Sequence, residues 1–366
     1  MKEIVVIGAG KIGSTIARML AHSGDYHVTV ADRSDEQLAA IERHVAVSTK
    51  VVDIADAAAM TALLSGKFAV LSAAPYHLTV AIAEAAAAAG VHYLDLTEDV
   101  ESTRQVKRIA ETARTAFIPQ CGLAPGFISI VANDLASRFD TLENVRMRVG
   151  ALPQYPSNAL NYNLTWSTDG VINEYIEPCE AIVEGALIEV PALEEREEFS
   201  LDGVTYEAFN TSGGLGTLCE TWENKVRNLD YKTVRYPGHR DLMMFLLDDL
   251  ALKNDQEKLK DIMRKSMPAT MQDVVLVFVT VSGMKNGVLM QEVFARKIFA
   301  ERDGAQPLSA IQITTAAGIC AAVDLFREGK LPQSGFVRQE EVALPEFLAN
   351  RFGKAYQQSR QVESIG

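Results

Sequence analysis

The sequence predicts an α/β protein: an open, doubly wound parallel sheet followed by a second, α+β domain built on a largely antiparallel sheet. Three observations support this fold class. Short apolar runs alternate with helical patterns up to about residue 130, a glycine-rich turn follows the first run, and longer strand-like runs begin after about residue 139. A length of 366 residues also exceeds what one hydrophobic core usually supports, so we expect two domains.

Six strand-like runs alternate with helices in the first part of the chain. They are residues 4–7, 27–31, a run ending at 51–52, and residues 68–71, 93–96 and 117–119. The segments between them carry apolar residues three or four positions apart, as in Ile12, Ile16 and Leu20, and Ser34 is placed to cap the second helix. Because parallel strands linked by helices form right-handed crossovers, the pattern predicts a Rossmann-type sheet.

The second part of the chain changes to longer strands and turns. Strands are predicted at residues 145–152, 162–166, 186–190, 204–209, 274–282 and 287–294, with Asn286-Gly287 as a hairpin turn. The apolar helix predicted over residues 310–326 is expected to return to the first domain. The predicted organisation is a dinucleotide-binding domain (1–130), a substrate and oligomerisation domain (131–305) and C-terminal helices that return to the first domain (306–366).

The composition and the charge of the chain indicate which classes of partner it binds and in which compartment it works. Forty-eight acidic residues against 35 basic ones give a net charge of −13, which argues against binding to nucleic acid or to a membrane surface. The four cysteines lie far apart and no Cys or His spacing suggests a metal site, as expected for a reduced chain. A strand that begins at residue 4 leaves no room for a signal peptide. We therefore predict a cytoplasmic protein without a metal.

The glycine-rich turn predicts a dinucleotide site. Gly8, Gly10 and Gly13 form G-x-G-x-x-G between a buried strand and a helix, where the helix N-terminus attracts phosphate. Gly8 permits the turn, Gly10 lets the pyrophosphate approach, and Gly13 lets the helix pack on the sheet. Asp32, 19 positions beyond Gly13, is placed to bind the ribose hydroxyls, which favours NAD. The adjacent Arg33 could hold a 2′-phosphate and keeps NADP as the alternative.

Other positions near the strand ends complete the predicted cofactor site. Ligands of such sheets bind beyond the carboxyl ends of the strands. Asp53 is expected near the adenine, with helix capping as its structural alternative. The remaining predicted cofactor-binding residues belong to the glycine turn or follow the fourth strand: Lys11, Ile12, Ala73, Ala74 and Pro75.

Several longer motifs resemble the saccharopine dehydrogenase superfamily. They are residues 95–98 (Asp-Leu-Thr-Glu), 121–126 (Cys-Gly-Leu-Ala-Pro-Gly), 165–167 (Thr-Trp-Ser), 211–215 and 225–239. Within the superfamily the longer motifs are most similar to L-lysine 6-dehydrogenases, and a relative that handles saccharopine is the alternative. The resemblance implies NAD-dependent oxidation of the ε-amine of L-lysine, with release of ammonia and of 2-aminoadipate 6-semialdehyde, which cyclises. A nucleotide-binding protein that has lost catalysis is a further alternative.

This reaction needs a group that takes a proton from the substrate. Hydride leaves the ε-carbon only when the amine is neutral, and a free lysine amine has a pKa of about 10.4. Candidate bases are Asp95, at the end of a central strand, Glu98, and His239, which opens a helix whose N-terminus disfavours the imidazolium form. Each also has a purely structural alternative as a helix-capping or backbone-bonded side chain.

The substrate itself calls for charged and polar partners. Arg235 is expected to bind its α-carboxylate, because a guanidinium offers a planar, permanently charged fork. The other residues predicted to contact substrate are Tyr76, Cys121, Trp166, Ser167 and Thr211, and candidates for the α-ammonium are Ser167, Thr168, Asp169 and Glu174. Saccharopine, with its additional carboxylates, would need further cations such as Lys225, Arg227 and Lys232. A homodimer or homotetramer formed through the antiparallel sheet is also expected.

Overall fold

A computed structural model of the chain describes residues 1–303 and 306–357. The described chain divides into two compact units, the first comprising residues 1–130 and 314–355 and the second residues 131–313 together with Tyr356 and Gln357. Their architecture confirms the predicted fold class, a parallel Rossmann-type sheet and a second, mostly antiparallel sheet.

Strands and helices alternate strictly at the start of the first unit. The strands are β1 (Lys2–Ile7), β2 (Tyr26–Asp32), β3 (Ser48–Val51), β4 (Ala69–Ser72), β5 (His92–Leu94) and β6 (Ala116–Ile118). The helices are α1 (Lys11–His22), α2 (Asp35–Glu42), α3 (Ala57–Leu64), α4 (Thr79–Ala89), α5 (Val100–Thr112) and α6 (Phe127–Ala136), with a 3₁₀ turn at Tyr76–Leu78. Ser34 caps α2 by accepting a hydrogen bond from the Gln37 backbone N–H, as predicted.

The ten strands described in the second unit include the longest of the structure. They are β7 (Thr141–Pro153), β8 (Cys179–Val183), β9 (Ala186–Val190), β10 (Glu197–Leu201), β11 (Val204–Asn210), β12 (Val226–Arg235), β13 (Asp273–Lys285), β14 (Val288–Phe299), β15 (Glu301–Asp303) and β16 (Gln306–Leu308). Its helices are α7 (Thr168–Ile176), α8 (Leu218–Trp222), α9 (His239–Met244) and α10 (Gln256–Ser266), with a π turn at Phe245–Asp249 and a 3₁₀ turn at Leu252–Asn254.

The chain then returns to the first unit. Helix α11 (Ala310–Arg327) is followed by β17 (Gly335–Phe336) and α12 (Leu344–Ala349), with 3₁₀ turns at Gln339–Glu341 and Gly353–Gln357. Helix α11 is long and apolar enough to cross a membrane by length and composition, but 89% of it is buried inside the protein, as in the core helix of a globular domain.

The first unit is a seven-stranded parallel sheet in the order β17-β6-β5-β4-β1-β2-β3. The chain reverses its direction of winding between β1 and β4, which are paired side by side. Ligands of open α/β sheets bind beyond the carboxyl ends of the strands at such a point. The two-residue strand β17 was not predicted, because a segment so short carries no periodic pattern.

The second sheet has the order β10-β11-β12-β7-β13-β14, with β8 pairing both β12 and β9. It is largely antiparallel, although its β12 and β7 run parallel. The predicted strand at 162–166 is wrong: this segment forms a single bridge, between Leu164 and Ala269. Leu164 donates to the carbonyl of Pro268, and because proline has no N–H the pairing cannot extend into a ladder.

Candidate functional site

The glycine turn between β1 and α1 shows why each glycine is needed. Gly8 has φ of +101°, and a Cβ there would lie 2.8 Å from the carbonyl oxygen of Ala73. A Cβ on Gly13 would lie 1.9 Å from the carbonyl oxygen of Gly8. By contrast, a Cβ on Gly10 would meet no atom within 4 Å. Gly8 and Gly13 are therefore required by the protein's own packing, whereas Gly10 borders open space where a ligand can approach the backbone.

Asp32 links the end of β2 to this turn. Its Oδ2 accepts a hydrogen bond from the Ala9 N–H at 2.7 Å, and its Oδ1 accepts one from the Ser34 N–H at 2.8 Å. Each carboxylate oxygen can accept a further bond, so the group can hold ribose hydroxyls without releasing the backbone. Arg33 is exposed beside it.

A cavity of about 550 Å³ opens at this edge of the parallel sheet. Eight of the predicted cofactor residues line it: Gly8, Gly10, Asp32, Arg33, Asp53, Ala73, Ala74 and Pro75. Lys11, Ile12 and Gly13 do not line it, and Gly13 supports the turn from behind. Sequence reasoning missed Gln37 and His77, whose surroundings carry no motif. Three features together fit a dinucleotide: the open space over Gly10, the N-terminus of α1 and the Asp32 carboxylate, which can accept hydrogen bonds.

Asp53 makes a local bond as well as lining the cavity. Its Oδ1 accepts a hydrogen bond from the Ala55 N–H at 3.0 Å, which stabilises the turn before α3. The side chain is exposed. The helix capping expected as the structural alternative is performed by Asp56 instead, and the bond to Ala55 leaves the second carboxylate oxygen of Asp53 available to a ligand.

Asp95 is buried at the end of β5 in a complete set of hydrogen bonds. Tyr93 donates its hydroxyl to Oδ2 at 2.7 Å, while the N–H groups of Thr97 and Gln120 donate to Oδ1 at 3.1 and 2.7 Å. Burial raises the pKa of Asp95 to about 6, although these bonds oppose the rise. Asp95 thus holds the loops after β5 and β6 together.

Glu98 lies three residues beyond Asp95 and is less enclosed. Burial raises the pKa of Glu98 to about 7, with the charges of Asp99 and Asp95 adding to the effect and its own backbone N–H opposing it. No other residue of the described chain forms a hydrogen bond or ion pair with its carboxylate. Asp99, its neighbour, instead caps α5 through the Ser102 N–H.

Cys121 and Tyr76 differ in their surroundings. Cys121 is buried, its thiol donates to the carbonyl of Ile118 at 3.0 Å, and Gln339 donates to its sulfur at 3.1 Å. Burial raises the pKa of the Cys121 thiol well above its usual value, which disfavours a nucleophilic thiolate. Tyr76 is half-buried at the start of the turn that precedes α4.

Arg235, at the end of β12, is a buried cation in the second unit. Its side chain is 2% exposed. Its Nε donates to the Tyr175 hydroxyl at 2.9 Å, and its Nη1 donates to the Val234 carbonyl at 2.9 Å and to the Thr233 hydroxyl at 3.4 Å. Within residues 1–303 and 306–357 no carboxylate forms an ion pair with it. A buried cation that has no carboxylate at ion-pair distance is a strong candidate for an anionic ligand.

The guanidinium also faces aromatic rings. Its central carbon lies 4.9 Å from the ring centre of Tyr162 and 5.8 Å from that of Tyr175. Burial opposes the charged form, but the nearby tyrosines and Glu174 leave the pKa of Arg235 above its usual value. The side chain therefore stays charged.

His239 is fully engaged by neighbouring groups. Its Nδ1 lies 2.9 Å from the Leu160 carbonyl, to which it donates, and its Nε2 lies 3.1 Å from the Tyr175 hydroxyl, from which it accepts. Burial and the charge of Arg235 lower the pKa of His239 to about 3. The histidine is therefore neutral because of burial and the nearby Arg235 charge, and not because of the helix N-terminus as predicted. Both of its ring nitrogens already have hydrogen-bond partners.

Glu207 on β11 holds the turn that carries both residues. Its carboxylate is completely buried and accepts hydrogen bonds from the Gly238 and Arg240 N–H groups at 3.2 and 2.8 Å. Arg196 approaches it at 3.4 Å. Glu207 faces Arg235 directly across the β11–β12 pair. Sequence reasoning missed this residue because the contact joins segments 31 to 33 positions apart.

Several buried polar atoms of this unit have no hydrogen-bond partner among the residues that the structure describes. They are the hydroxyl oxygens of Tyr162, Thr165 and Thr211 and the side-chain oxygen of Asn163. Buried polar groups are normally paired, so unpaired ones mark places where water or a ligand binds. Thr211 was predicted as a substrate contact. Near it, Gly214 admits the Tyr231 ring, which a Cβ at that position would meet at 2.2 Å.

Other predicted substrate residues have structural roles. Ser167 caps α7 by accepting a hydrogen bond from the Gly170 N–H, and Asp169 forms ion pairs with Lys260 and Arg264. Trp166 packs at the edge of an apolar cluster. Ser167 and Asp169 therefore have the structural roles described here, and their contact with substrate stays a prediction.

The additional cations considered for saccharopine are also engaged. Lys232 pairs with Glu195 and Glu197, and Arg227 pairs with Glu184 on the surface. Lys225 donates to a backbone carbonyl at the end of α8. Arg235 is thus the cation of this set that is free to meet an anion.

The described residues also show whether metal-ligating clusters or disulfide bonds are present among them. In the described ranges no group of three or more His, Cys, Asp or Glu side chains is arranged to hold a metal ion. All four cysteines are buried as free thiols.

Comparison with known proteins gives matches along almost the whole chain. Residues 4–117 match the model of the saccharopine dehydrogenase NADP binding domain, and residues 122–354 match that of the saccharopine dehydrogenase C-terminal domain. Alpha-aminoadipic semialdehyde synthase from Rattus norvegicus is 20% identical over 196 residues, and that from Bos taurus is 21% identical over 194. These matches cover 52% and 51% of this chain and 21% of each relative, so the chain spans about a fifth of their length.

A solved structure has the same fold. Saccharopine dehydrogenase (L-Glu forming) from Saccharomyces cerevisiae superposes with a TM-score of 0.78 at 15% identity, covering 97% of this chain and 96% of that one. At this identity the likeness concerns the fold.

Proposed function

The chain belongs to the saccharopine dehydrogenase family, and we propose that it is a NAD-dependent L-lysine 6-dehydrogenase. It removes the ε-amino group of lysine as ammonia and produces 2-aminoadipate 6-semialdehyde, which cyclises. The observation that carries this proposal is the buried Arg235 guanidinium without an ion-pair partner, since one such guanidinium suits an amino acid with one carboxylate.

The cofactor choice rests on Asp32. Its carboxylate lines the nucleotide cavity and can accept ribose hydroxyls, whereas its charge would repel a 2′-phosphate. When bound, the nicotinamide accepts the hydride from the ε-carbon of the substrate. The residues that would hold the dinucleotide are the glycine turn, Asp32 and Ala73 to Pro75.

Glu98 is the proton acceptor that the geometry favours. Asp95 is enclosed by three donors and His239 has partners on both nitrogens, whereas the Glu98 carboxylate has only its own backbone N–H. Its raised pKa, about 7, matches a base that works near neutral pH. Glu98 takes the proton from the lysine ammonium before oxidation and releases it to solvent, and the carboxylate then accepts a proton from the water that hydrolyses the resulting imine.

The deciding experiment is a spectrophotometric assay of the purified protein. Lysine, saccharopine and ornithine are each supplied with NAD and with NADP, and reduced cofactor is followed by absorbance. We expect lysine with NAD to give the fastest reaction and ammonia to form in equal amount. No reduction with lysine and either cofactor at about pH 9 to 10, where more of the amine is neutral, would refute the proposal. Turnover of saccharopine alone would assign the chain to that substrate.

The pH profile tests the role of Glu98. We expect kcat/KM for lysine to rise in two steps. The first centres near pH 7, since Glu98 has a pKa of about 7 and loses its proton as pH rises; the second follows the substrate amine, with a pKa of about 10.4. Glu98→Gln should remove the first step and lower kcat about a hundredfold. The control Asp99→Asn keeps the α5 cap and should retain both steps, with the first moved to lower pH because the Asp99 charge raises the pKa of Glu98. A step centred near pH 6 that Asp95→Asn abolishes would assign the base to Asp95 instead.

Glu207 is expected to act as a positioning residue. Glu207→Gln leaves one acceptor oxygen for the Gly238 and Arg240 N–H groups, so the turn that carries Arg235 and His239 loosens. We expect KM for lysine to rise about tenfold with kcat nearly unchanged, because one hydrogen bond is worth about 1 kcal/mol. Glu198→Gln, which alters an exposed partner of the same Arg196, is the matched control. Equal kinetics in the two variants would contradict this role.

A further inference from the structure

The outer edge of β14 carries no partner strand. β14 lies at one end of the second sheet and pairs with β13 through twelve consecutive residues, from Val288 to Phe299, without a bulge. Among the described strands none pairs with its other edge. Soluble proteins usually shorten, bend or charge such an edge, because its free N–H and C=O groups invite another strand.

Apolar side chains cluster along this edge. Val288 is 59% exposed, Leu289 68%, Met290 42% and Val293 50%. The strand contains no proline. A long edge without a bulge that exposes several apolar side chains is the form expected of a strand that is covered in the assembled protein.

We propose that β14 pairs antiparallel with β14 of a second copy of this chain, about a two-fold axis that passes beside Phe294. In such a pair the axis lies between the two copies of Phe294. Each residue of one strand then faces the residue of the partner strand that lies equally far from position 294 in the opposite direction. The two sheets then join into one continuous sheet, and both exposed edges disappear.

Charge complementarity selects this register. An axis at Phe294 places Glu292 opposite Arg296 of the partner copy, twice by symmetry. Arg296 stacks on Phe294 at 4.6 Å and donates to the Ala295 carbonyl, but no carboxylate in the described ranges forms an ion pair with it. Glu292, which also binds Arg138 and Lys285, supplies that carboxylate.

The remaining facing pairs match in polarity. They are Leu289 with Phe299, Met290 with Ile298, Gln291 with Lys297, and Val293 with Ala295. Moving the axis by one residue loses this match. An axis at Val293 places Leu289 against Lys297, and an axis at Ala295 places Glu292 against Ile298.

The test measures the oligomeric state and the register of the full chain. Light scattering and sedimentation should give a dimer or a multiple of it, and Arg296→Glu, which faces Glu292 of the partner copy, should raise the dimer dissociation constant about tenfold. Phe294→Cys should form an intermolecular disulfide under mild oxidation, because the two copies of position 294 lie opposite each other.

The matched control is Val293→Cys, whose two copies are offset along the strands and should cross-link far less. The native thiols are buried and do not interfere. A monomer at all concentrations overturns the proposal. So does an oligomer whose dissociation constant Arg296→Glu leaves unchanged, or one that cross-links through position 293 as readily as through position 294.

Discussion

Replacing Gly10 by alanine should abolish productive nucleotide binding and leave the folded protein intact. A Cβ at this position meets no protein atom within 4 Å, so the substitution creates no clash in the free protein. The added methyl group instead occupies the space through which a pyrophosphate reaches the backbone N–H groups at the start of α1. We expect the dissociation constant for NADH to rise about a hundredfold, because losing one or two charge-assisted hydrogen bonds costs about 3 kcal/mol.

Gly13→Ala supplies the contrast. Its Cβ would lie 1.9 Å from the Gly8 carbonyl oxygen, so the protein's own backbone must move. We expect this variant to lose about 3 kcal/mol of unfolding free energy and to bind nucleotide poorly as a result. Fluorescence titration with NADH and thermal unfolding, measured on both variants, separate the two causes. If Gly10→Ala binds NADH normally, or melts as early as Gly13→Ala, the open space over Gly10 is not the nucleotide site.

The nucleotide cavity was predictable because its determinants are local. Gly8, Gly10 and Gly13 act within one turn, and Asp32 is fixed to that turn by the pairing of β1 with β2. The spacing of these residues therefore encodes their arrangement. The strand predicted at 162–166 failed for the opposite reason: its pairing depended on Pro268, about a hundred residues away.

The second unit shows where sequence reasoning reached its limit. Arg235 was singled out, but its partner Tyr175 lies 60 positions earlier, and the link from His239 to Leu160 spans 79. Such contacts depend on how β12, α7 and α9 pack, and no local spacing records them. Ser167 and Asp169 show the same limit. Their positions in the sequence did not reveal the helix cap and the ion pair that the structure shows.

Arg235→Met should raise KM for lysine about a thousandfold while changing kcat less. The guanidinium is the buried cation proposed to bind the α-carboxylate, and a bidentate, charge-assisted pair in a buried site is worth about 4 kcal/mol. Methionine has a similar length without charge. Because no carboxylate of the described chain forms an ion pair with Arg235, replacing it by an apolar side chain breaks no ion pair, although it removes the more distant attraction of Glu174. We therefore expect the melting temperature of the ligand-free protein to stay within a few degrees of the parent, about 1 kcal/mol either way.

Two matched variants separate binding from packing. Arg235→Lys keeps the charge but lacks the planar fork, so KM should rise about thirtyfold, between the parent and Arg235→Met. Tyr175→Phe keeps the ring and removes the hydroxyl that accepts from Nε, so Arg235 loses one positioning bond and KM should rise about tenfold. Steady-state kinetics with lysine at saturating NAD give KM and kcat, and differential scanning calorimetry gives the stability. A large loss of stability in Arg235→Met with KM unchanged would make this arginine a packing residue, and the carboxylate site would have to lie elsewhere. A graded rise in KM across the three variants, with stability preserved, follows only if the buried guanidinium meets the substrate.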